Sequence, residues 1–359
     1  MANTTAQTGL TPQQWDDKFF AAYIRDSRFK RYMGTDENSI IQLKEDLTKK
    51  KGDKVTFALV NELTGSGVTG NQTLEGNEEG LDSRSHPLTV APLRHAVAIS
   101  DWDEQKSAID LRDAGKMMLK MWAMSKMRDG IISALGSING VAYASATSTQ
   151  RNAWVVDNVD RVLFGKLNSN YSATHATALA NIDNTDDKLT PEAVSLMKRI
   201  AQTCSPKIRP IRLKEDEEWY VLFANALAFR DFALNSTVTQ ANRDARNRGL
   251  DNPLFTGGAL VWDGVIVREI PEIGILTGVG AGSIDVGPTY LCGAQAVGVG
   301  WAQRTKSTTN VRDYGFLHGV GVSEIRGIEK MTFGSGAGDT DDLKDHGVVT
   351  GFFAAVADA

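Results

Sequence analysis

The feature that most constrains this sequence is a long stretch, residues 64–86, that contains almost no large apolar side chain. Its glycines are Gly65, Gly67, Gly70, Gly76 and Gly80. A structureless connection of about 20 residues is uncommon inside a compact domain and is usually a lid, a binding loop or a projecting arm. Because this stretch cannot bury itself, we expect it to project from the folded chain. A floppy surface hairpin is the alternative.

Extended segments are predicted on both sides of this stretch. Val55, Phe57 and Leu59 alternate with small or polar residues, which predicts a half-buried strand. Residues 88–99 predict a second extended segment that returns along the chain. The region from Gly52 to Ser100 is therefore interpreted as an extended hairpin with a glycine-rich end.

The N-terminal residues 1–35 have the pattern of an arm that contains some helix. Thr11 and Pro12 are typical of a helix start, and large apolar residues follow at helical spacing. These residues are Trp15, Phe19, Phe20, Tyr23 and Ile24. We expect the arm to bury these side chains either on its own core or on a neighbouring molecule.

A long amphipathic helix is predicted from Asp101 to Leu135. Ser100, with Asp103 three positions later, resembles a capping box at its beginning. If continuous, this helix would be ~50 Å long at ~1.5 Å per residue. We expect core packing for its methionine-rich face, with an adaptable binding groove as the alternative. The predicted face comprises Ala114, Met117, Met121, Met124, Ile131 and Leu135.

The remainder mixes helices and strands without a regular βαβ alternation, which favours an α+β fold over a doubly wound sheet. Residues 136–189 are small and polar, and residues 143–148 predict a turn or loop. The other predicted elements are a helix that begins at Thr190-Pro191 and ends before Pro206, a buried central strand over 219–223, a helix around Phe229, Phe232 and Leu234, and strands over 264–270 and 319–331.

Composition limits the class of protein. A chain of 359 residues is long enough for two or more packed subdomains. Its net charge of −5 argues against a protein that grips nucleic acid tightly, although a container around DNA is permitted. No apolar run reaches the ~18 residues that a membrane span needs, and no signal peptide is evident. Cys204 and Cys292 are expected to be buried free thiols in a reducing cytoplasm.

The motifs of nucleotide and hydrolase sites are incomplete in this sequence. Residues 278–283 are glycine-rich but lack the spacing of the dinucleotide fingerprint, so we interpret them as a loop. Gly165-Lys166 lacks the upstream glycine of a P-loop, and no Gly-x-Ser-x-Gly elbow occurs. We therefore predict no cofactor and no enzymatic activity.

Metal-binding patterns are also incomplete. The acidic residues 183–187 lack the glycine and the distal glutamate of an EF-hand, so a solvated turn is predicted, as it is for residues 339–342. The five histidines are scattered and contain no His-x-x-x-His pair. A dispersed enzymatic site made from residues such as His95, Asp101 and His318 remains as an alternative.

Several short stretches, in order along the chain, resemble the phage N4 type family of major capsid proteins, which has the HK97-like capsid fold. The resemblance covers the chain from about residue 50 to its end, and residues 136–189 are its less familiar part. The stretches are 52–57 (GDKVTF), 68–70 (VTG), 74–79 (LEGNEE), 93–97 (LRHAV), 245–249 (ARNRG), 252–257 (NPLFTG), 264–267 (GVIV), 291–296 (LCGAQA) and 313–315 (DYG).

The resemblance implies a division of the chain into the parts of that fold. Residues 1–50 would be the N-terminal arm and residues 51–100 the extended β-hairpin loop that lies across a neighbouring subunit. Residues 101–189 and 314–359 would form the peripheral domain, with a spine helix at about 101–135, and residues 190–313 the axial domain. The hypothesised assembly residues are Trp15, Phe19, Gly65, Gly67, Gly70, Asn71, Leu74, Glu75, Gly76, Glu78 and Glu79.

The resemblance further implies that copies of the chain assemble as hexamers and pentamers into an icosahedral head around double-stranded DNA. We expect weak, non-specific contact with that DNA, because a mildly acidic wall adheres to it poorly. We also expect the chain to keep its N-terminal segment and to use a separate scaffolding protein, a portal and a decoration protein. Assembly would take place in the host cytoplasm and place the protein in the virion. An encapsulin-like bacterial compartment is the alternative within the fold.

Overall fold

The computed structural model describes residues 28–45, 52–60, 67–71, 73–76, 78, 83–214, 217–246, 260–335 and 341–357. Both helices and sheets form its core, so the predicted α+β class is confirmed. Within the described residues, no helix is both long enough and apolar enough to span a membrane.

Sixteen strands and seven α-helices are present in the described residues. The strands are β1 Met33–Gly34, β2 Ile41–Lys44, β3 Lys54–Val60, β4 Ser83–Thr89, β5 Ala91–Ser100, β6 Val162–Phe164, β7 Ile211–Lys214, β8 Glu217–Ala224, β9 Leu260–Trp262, β10 Val265–Glu269, β11 Val286–Cys292, β12 Val297–Arg312, β13 Leu317–Lys330, β14 Thr332–Ser335, β15 Asp341–Asp345 and β16 Val348–Ala354. The helices are Asp101–Lys106, Leu111–Leu135, Ser148–Asp157, His175–Ala180, Pro191–Thr203, Ala226–Leu234 and Ser236–Arg246.

The first large sheet has the strand order β1-β2-β12-β13-β5. Its centre is the long antiparallel hairpin of β12 and β13, paired from Val297 and Lys330 to Arg312 and Leu317. On the other side of β13, all of β5 pairs with it, from Ala91 opposite Arg326 to Ser100 opposite Leu317. The strand predicted over residues 319–331 is therefore present, and the returning segment predicted at residues 88–99 consists of two strands, of which β5 belongs to this sheet.

The second large sheet has the order β6-β16-β11-β8-β10-β9, with β7 paired to the first residues of β8. β8 lies in its interior between β11 and β10, and Tyr220–Ala224 are all buried. The central strand predicted over residues 219–223 is thus confirmed. The helix Pro191–Thr203 begins as predicted, because the Thr190 side chain accepts a hydrogen bond from the Ala193 amide.

Strand pairing joins segments from both predicted domains. β16, which belongs to the predicted peripheral segment 314–359, pairs with β11, which belongs to the predicted axial segment 190–313. β12, in the predicted axial segment, likewise pairs with β13, in the predicted peripheral segment. The two sheets and the helix Leu111–Leu135 also share one hydrophobic cluster, in which Phe29 and Tyr32 each contact Phe223 edge-on at 5.3 Å. The division of the chain into two domains stays a prediction.

The predicted continuous helix from Asp101 to Leu135 is wrong in one respect, because it is interrupted at residues 107–110. Ser100 caps the short first helix by accepting the Asp103 amide, as predicted. Asp110 then begins a new helix, and its Oδ1 accepts hydrogen bonds from the amides of Arg112 and Asp113, each at 3.0 Å. The second helix, Leu111–Leu135, has 25 residues; we call it the long helix, and it is ~37 Å long.

The methionine face predicted for this helix is also wrong. Met117 and Met121 are 61% and 51% exposed, whereas the buried positions include Gly115, Leu119 and Ala123. Small residues face the sheet because the helix lies close to it: a Cβ on Gly115 would be 3.5 Å from side-chain atoms of Val97 and Ile99. Met127, 1% exposed, is the methionine of this helix that does face the core, further towards its C-terminal end. Ile131 and Leu135 are buried as predicted.

Residues 136–189 contain more regular structure than their composition predicts. Thr147 and Gln150 form a complete capping box at the start of the helix Ser148–Asp157. β6 and the helix His175–Ala180 follow within the same segment. Their apolar residues, among them Trp154 and Phe164, form a separate cluster against β16. The turn predicted over residues 143–148 is a single 3-10 turn that leads into the first of these helices.

Candidate assembly surfaces

The hairpin of β3 and β4 is the structural counterpart of the predicted extended loop. The two strands pair in seven positions, from Lys54 opposite Thr89 to Val60 opposite Ser83. Val55 and Phe57 are 3% and 2% exposed, and Thr56 and Ala58 are exposed, so the predicted alternation is confirmed over residues 55–58; the Leu59 side chain lies outside what the structure describes. The hairpin therefore has one face on the protein and one face in solvent.

The buried face of the hairpin lies on glycines of β12 and β13. A Cβ on Gly300 would be 2.9 Å from a Val55 methyl group and 3.0 Å from a Leu88 methyl group. A Cβ on Gly327 would run into the backbone of Thr89, 3.0 Å from its carbonyl carbon. The absence of side chains at these positions lets the hairpin approach the sheet closely, and close contact of this kind fixes its direction.

Polar contacts fasten the same base. The His86 ring on β4 is buried. Its Nδ1 is 3.1 Å from the Thr332 carbonyl oxygen, and its Nε2 is 3.4 Å from Oε2 of Glu329. The Lys44 ammonium group donates to the Thr56 carbonyl oxygen at 3.0 Å and lies 4.6 Å from the centre of the Phe57 ring. The base of the hairpin is thus held by both apolar and polar contacts.

The end of the hairpin is exposed where the structure describes it. Gly67, Gly70 and Gly76 have φ angles of 69°, 72° and 87°, and a Cβ on any of them would meet no atom within 4 Å. Leu74 is 64% exposed. The other hypothesised assembly residues in this part, Asn71, Glu75 and Glu78, are exposed too. Gly65, Glu79, Trp15 and Phe19 lie outside the described residues.

A second exposed apolar surface, at the turn between β12 and β13, was not predicted. Tyr314 is fully exposed, and Val311 and Phe316 are 57% and 47% exposed. Trp102, 59% exposed, belongs to the helix Asp101–Lys106, whose start lies beside this turn because the Asp101 amide donates to the Phe316 carbonyl oxygen at 3.0 Å. The sequence feature that could have indicated this surface is Asp313-Tyr314-Gly315, a turn with an aromatic residue between two long strands.

The dispersed enzymatic site considered from the sequence is only partly assembled. His318 Nε2 is 3.2 Å from Asp101 Oδ1, which also accepts from Arg112 at 2.8 Å. This ion-pair cluster is open to solvent. The His95 ring instead lies against Trp122, tilted by 36°, with a centroid distance of 4.7 Å. Among the described residues, no group of three or more His, Cys, Asp or Glu side chains is placed to hold a metal ion.

The buried ionisable groups are part of the core. Burial lowers the pKa of both His175 and His346 to about 4, so that both rings are neutral at pH 7. Lys330 and Asp345 form an ion pair of 2.7 Å with both side chains 1% exposed. Trp154 Nε1 donates to the same Asp345 oxygen at 3.1 Å. Both cysteines are buried and free, as predicted.

The solvated turn predicted for residues 183–187 needs one correction, because Asp187 is 2% exposed. Its carboxylate accepts hydrogen bonds from the Lys166 amide at 2.8 Å, the Asp183 amide at 3.1 Å and the Asn170 side chain at 2.9 Å. Three donors satisfy a buried carboxylate without a cation. Asp187 therefore organises the surrounding loops.

Comparisons with known proteins agree with this architecture. The family model described as phage capsid protein matches residues 3–356. The major capsid protein of Pseudomonas phage KPP25 is 28% identical over 373 residues, which covers 98% of each chain. The capsid of cyanophage Pam1 matches with a TM-score of 0.82 at 38% identity over the full length of both chains. The capsid of Ralstonia phage GP4 covers all of this chain and 96% of its own, with a TM-score of 0.75 and 22% identity.

These matches confirm the HK97-like capsid fold that the sequence resemblance implied. They do not distinguish the N4 type from other branches of the family. Because the family model covers nearly the whole sequence and a solved relative exceeds 30% identity over its full length, the chain belongs to the phage capsid protein family, whose members are structural proteins and not enzymes.

Proposed function

We propose that this chain is the major capsid protein of a phage, and that its copies form hexamers and pentamers in an icosahedral head around double-stranded DNA. The observation that carries the proposal is the hairpin of β3 and β4. Its base is held on Gly300 and Gly327, while its end, around Leu74, is exposed. A fixed base with an exposed end is the geometry of a contact made with another molecule.

In the proposed lattice, the end of this hairpin lies across a neighbouring subunit. The Tyr314 turn provides a second apolar contact, at the end of strands β12 and β13. We propose that the sheet containing β12 and β13, with the long helix, is the peripheral part, and that the sheet around β8 is the axial part. Many modest contacts of this kind reinforce one another in a closed lattice.

The remaining partners follow from the same role. We propose that a scaffolding protein, a portal and a decoration protein cooperate with this chain, and that assembly takes place in the host cytoplasm. The net charge of −5 supports only weak contact with the packaged DNA, because tight binding to DNA phosphates requires a basic surface. The nine short stretches quoted above support placement in the N4 type.

Neither alternative is favoured by the observations. The two structural relatives described above are phage capsids. The His318 and Asp101 pair is open to solvent, and the His95 ring lies against Trp122 instead, so these residues offer no enclosed place for a substrate. An encapsulin-like compartment would require a cargo protein, and a portal and a terminase encoded beside this chain would argue against it.

The decisive experiment expresses the chain with and without a scaffolding protein and images the product by negative-stain electron microscopy. We expect closed shells in at least one of the two conditions. Monomers or small closed oligomers in both conditions would contradict the proposal. Far-UV circular dichroism of the same samples separates a failure to assemble from a failure to fold.

A further inference from the structure

A cavity of about 250 Å³ opens beside the C-terminal end of the long helix. We call it the tyrosine cavity, after Tyr143 and Tyr290 in its lining. Exposed residues such as Ala144 and Ile275 line its outer part, whereas Trp154 and Tyr290, 2% and 5% exposed, belong to its buried floor. A concave site with an apolar floor and a few polar groups is the usual form of a small-molecule site.

The hydroxyl groups of these two tyrosines have no hydrogen-bond partner within the described residues. The Tyr290 hydroxyl oxygen lies against the end of the long helix, where a Cβ on Gly136 would be 2.7 Å from it. Gly136 lines the tyrosine cavity too, so this oxygen lies at the cavity wall. Since a buried hydroxyl group without a partner costs free energy, a ligand that supplies an acceptor to it removes that cost.

Both hydroxyl groups are protonated at neutral pH. Burial raises the pKa of Tyr143 to about 12. Burial and the neighbouring Tyr143 also raise the pKa of Tyr290 above its ordinary value. A phenolic hydroxyl that keeps its proton can donate a hydrogen bond, so the matching group on a ligand is an acceptor such as a carbonyl oxygen.

The charged groups at the floor of the tyrosine cavity already satisfy one another. Lys330 lines the cavity, and its ammonium group is 2.7 Å from Oδ2 of Asp345, with both side chains 1% exposed. Trp154 Nε1 donates to the same oxygen at 3.1 Å. Because this ion pair is neutral overall, an ionised ligand would enter without a counter-ion, whereas an uncharged ligand avoids that cost.

The size of the tyrosine cavity fits one aromatic ring with a short substituent. An apolar cavity of ~150 Å³ is large enough to hold benzene, and this one has about 250 Å³. Several water molecules would fill the same volume, but each buried water needs about two to four polar partners. The part of the floor formed by Leu135, Trp154 and Phe352 offers few of these partners.

We propose that the tyrosine cavity binds a small uncharged molecule with an apolar body of about one aromatic ring and one carbonyl oxygen. The Tyr290 hydroxyl donates to that oxygen, and the ring packs against Trp154 and Phe352. The bound molecule joins the end of the long helix to β11 and β16, and it stabilises the folded subunit because it binds only the folded form. This site goes beyond the proposed capsid role and does not depend on it.

Acetophenone, which has one ring and one carbonyl oxygen, is the probe. It is titrated into the full-length subunit labelled at the isoleucine methyl groups, and the methyl resonances are followed by NMR. We expect saturable shifts at Ile132, Ile273 and Ile275, which line the cavity. Ile99 is the reference, because it contacts Gly115, ~30 Å along the long helix from its C-terminal end. Shifts that do not saturate, equal shifts at Ile99 or no shifts would overturn the proposal.

Benzoate tests the charge of the ligand in the unmodified protein. It has nearly the size of acetophenone but carries a carboxylate at pH 7. We expect it to bind much more weakly than acetophenone, because the Lys330 and Asp345 pair leaves no free cation in the cavity lining. Benzoate binding as tightly as acetophenone, or more tightly, would overturn the assignment of an uncharged ligand.

Tyr290→Phe tests the hydroxyl and keeps the ring. We expect the Kd of acetophenone to rise about fivefold, the loss of one hydrogen bond, while the Kd of ethylbenzene, which has no acceptor, stays unchanged. Tyr220→Phe is the matched control, since Tyr220 does not line the cavity and its hydroxyl donates to the Ile208 carbonyl oxygen at 3.0 Å. Neither Kd should change in this control. An unchanged Kd of acetophenone in Tyr290→Phe would overturn the proposal.

Thermal unfolding without ligand measures whether the Tyr290 hydroxyl is free to bind one. Because this hydroxyl has no partner, Tyr290→Phe is expected to unfold at the same temperature as the unmodified subunit, or at a higher one. Tyr220→Phe is expected to unfold at a lower temperature, because it loses the bond to Ile208. A clear decrease for Tyr290→Phe would show that its hydroxyl is already satisfied, and would overturn the proposal.

Discussion

Phe57 lies directly against Gly298, so close that a Cβ built on the glycine would be 3.0 Å from two atoms of the ring. The same kind of contact recurs at Gly300 and Gly327 along the base of the hairpin. These glycines are on strands and keep ordinary extended backbone, so their role is to leave space. The direction in which the hairpin projects therefore depends on residues of β12 and β13 as much as on the hairpin itself.

Gly327→Ala is expected to destabilise the subunit and to misdirect the hairpin. The added methyl group would meet the Thr89 backbone, which cannot rotate away as a side chain can, and overpacking of this kind costs about 1–3 kcal/mol. Urea unfolding measures the free energy, and electron microscopy measures shell closure. Gly319→Ala on the same strand is the control, because its nearest neighbour, the Asn310 carbonyl oxygen, is 3.4 Å away. Equal costs for the two variants would contradict this account.

The sequence predicts these elements unevenly, for physical reasons. The alternation of Val55 and Phe57 is visible because burial on one face of a strand imposes a period of two residues. The break before Leu111 is not visible, since it contains neither glycine nor proline and depends on the Asp110 side chain, which accepts the amides of Arg112 and Asp113. The buried face of the long helix was misjudged because Gly115 and Ala123 face the sheet there.

The assembly surfaces show a similar difference. The hairpin end is predictable because a glycine-rich stretch without apolar residues cannot form a core. The exposure of Tyr314 is not, because an aromatic residue in a sequence indicates burial far more often than a surface contact. Only the lengths of β12 and β13, which place the turn at the far end of two long interior strands, reveal its position.

Lys330→Met is expected to destabilise the fold by about 3–5 kcal/mol, because it leaves the Asp345 carboxylate buried without its cation. Lys330→Met/Asp345→Asn should be more stable than this single variant. The asparagine carries no charge, and its carbonyl oxygen can still accept the hydrogen bond from Trp154. A double-mutant cycle by urea unfolding measures the coupling. Strict additivity of the two substitutions would contradict the proposed pairing.

The subunit is expected to lose stability as the pH falls from about 6.5 to about 4. Burial lowers the pKa of His175 and His346 to about 4 in the folded state, while the unfolded chain takes up protons near the ordinary pKa of 6.5. The unfolded state therefore binds more protons in this range, which costs up to about 3 kcal/mol for each histidine. Above pH 7 neither group contributes to the pH dependence.

His175→Phe isolates one of these contributions. The His175 ring lies among aromatic side chains, with its centroid 5.5 Å from Phe352 and 5.9 Å from Phe164. A phenylalanine keeps an aromatic ring there and removes the titrating nitrogen. The free energy of unfolding, measured from pH 4 to pH 8, should fall less steeply with acid in the variant. Parallel curves for the two proteins below pH 6 would rule out this assignment.

Leu74→Asp is expected to leave the subunit folded and to prevent shell closure. Leu74 is 64% exposed at the hairpin end, so a carboxylate there costs the free subunit little. In the lattice the same charge would be carried into an apolar contact, where a buried unpaired carboxylate is expensive. Leu234→Asp is the matched control, because Leu234 is also 64% exposed but lies at the end of the helix Ala226–Leu234. Thermal unfolding of both subunits and electron microscopy of both assembly reactions measure the two effects. Normal shells from Leu74→Asp, or an equal assembly defect in Leu234→Asp, would show that the hairpin end does not make the contact that closes the shell.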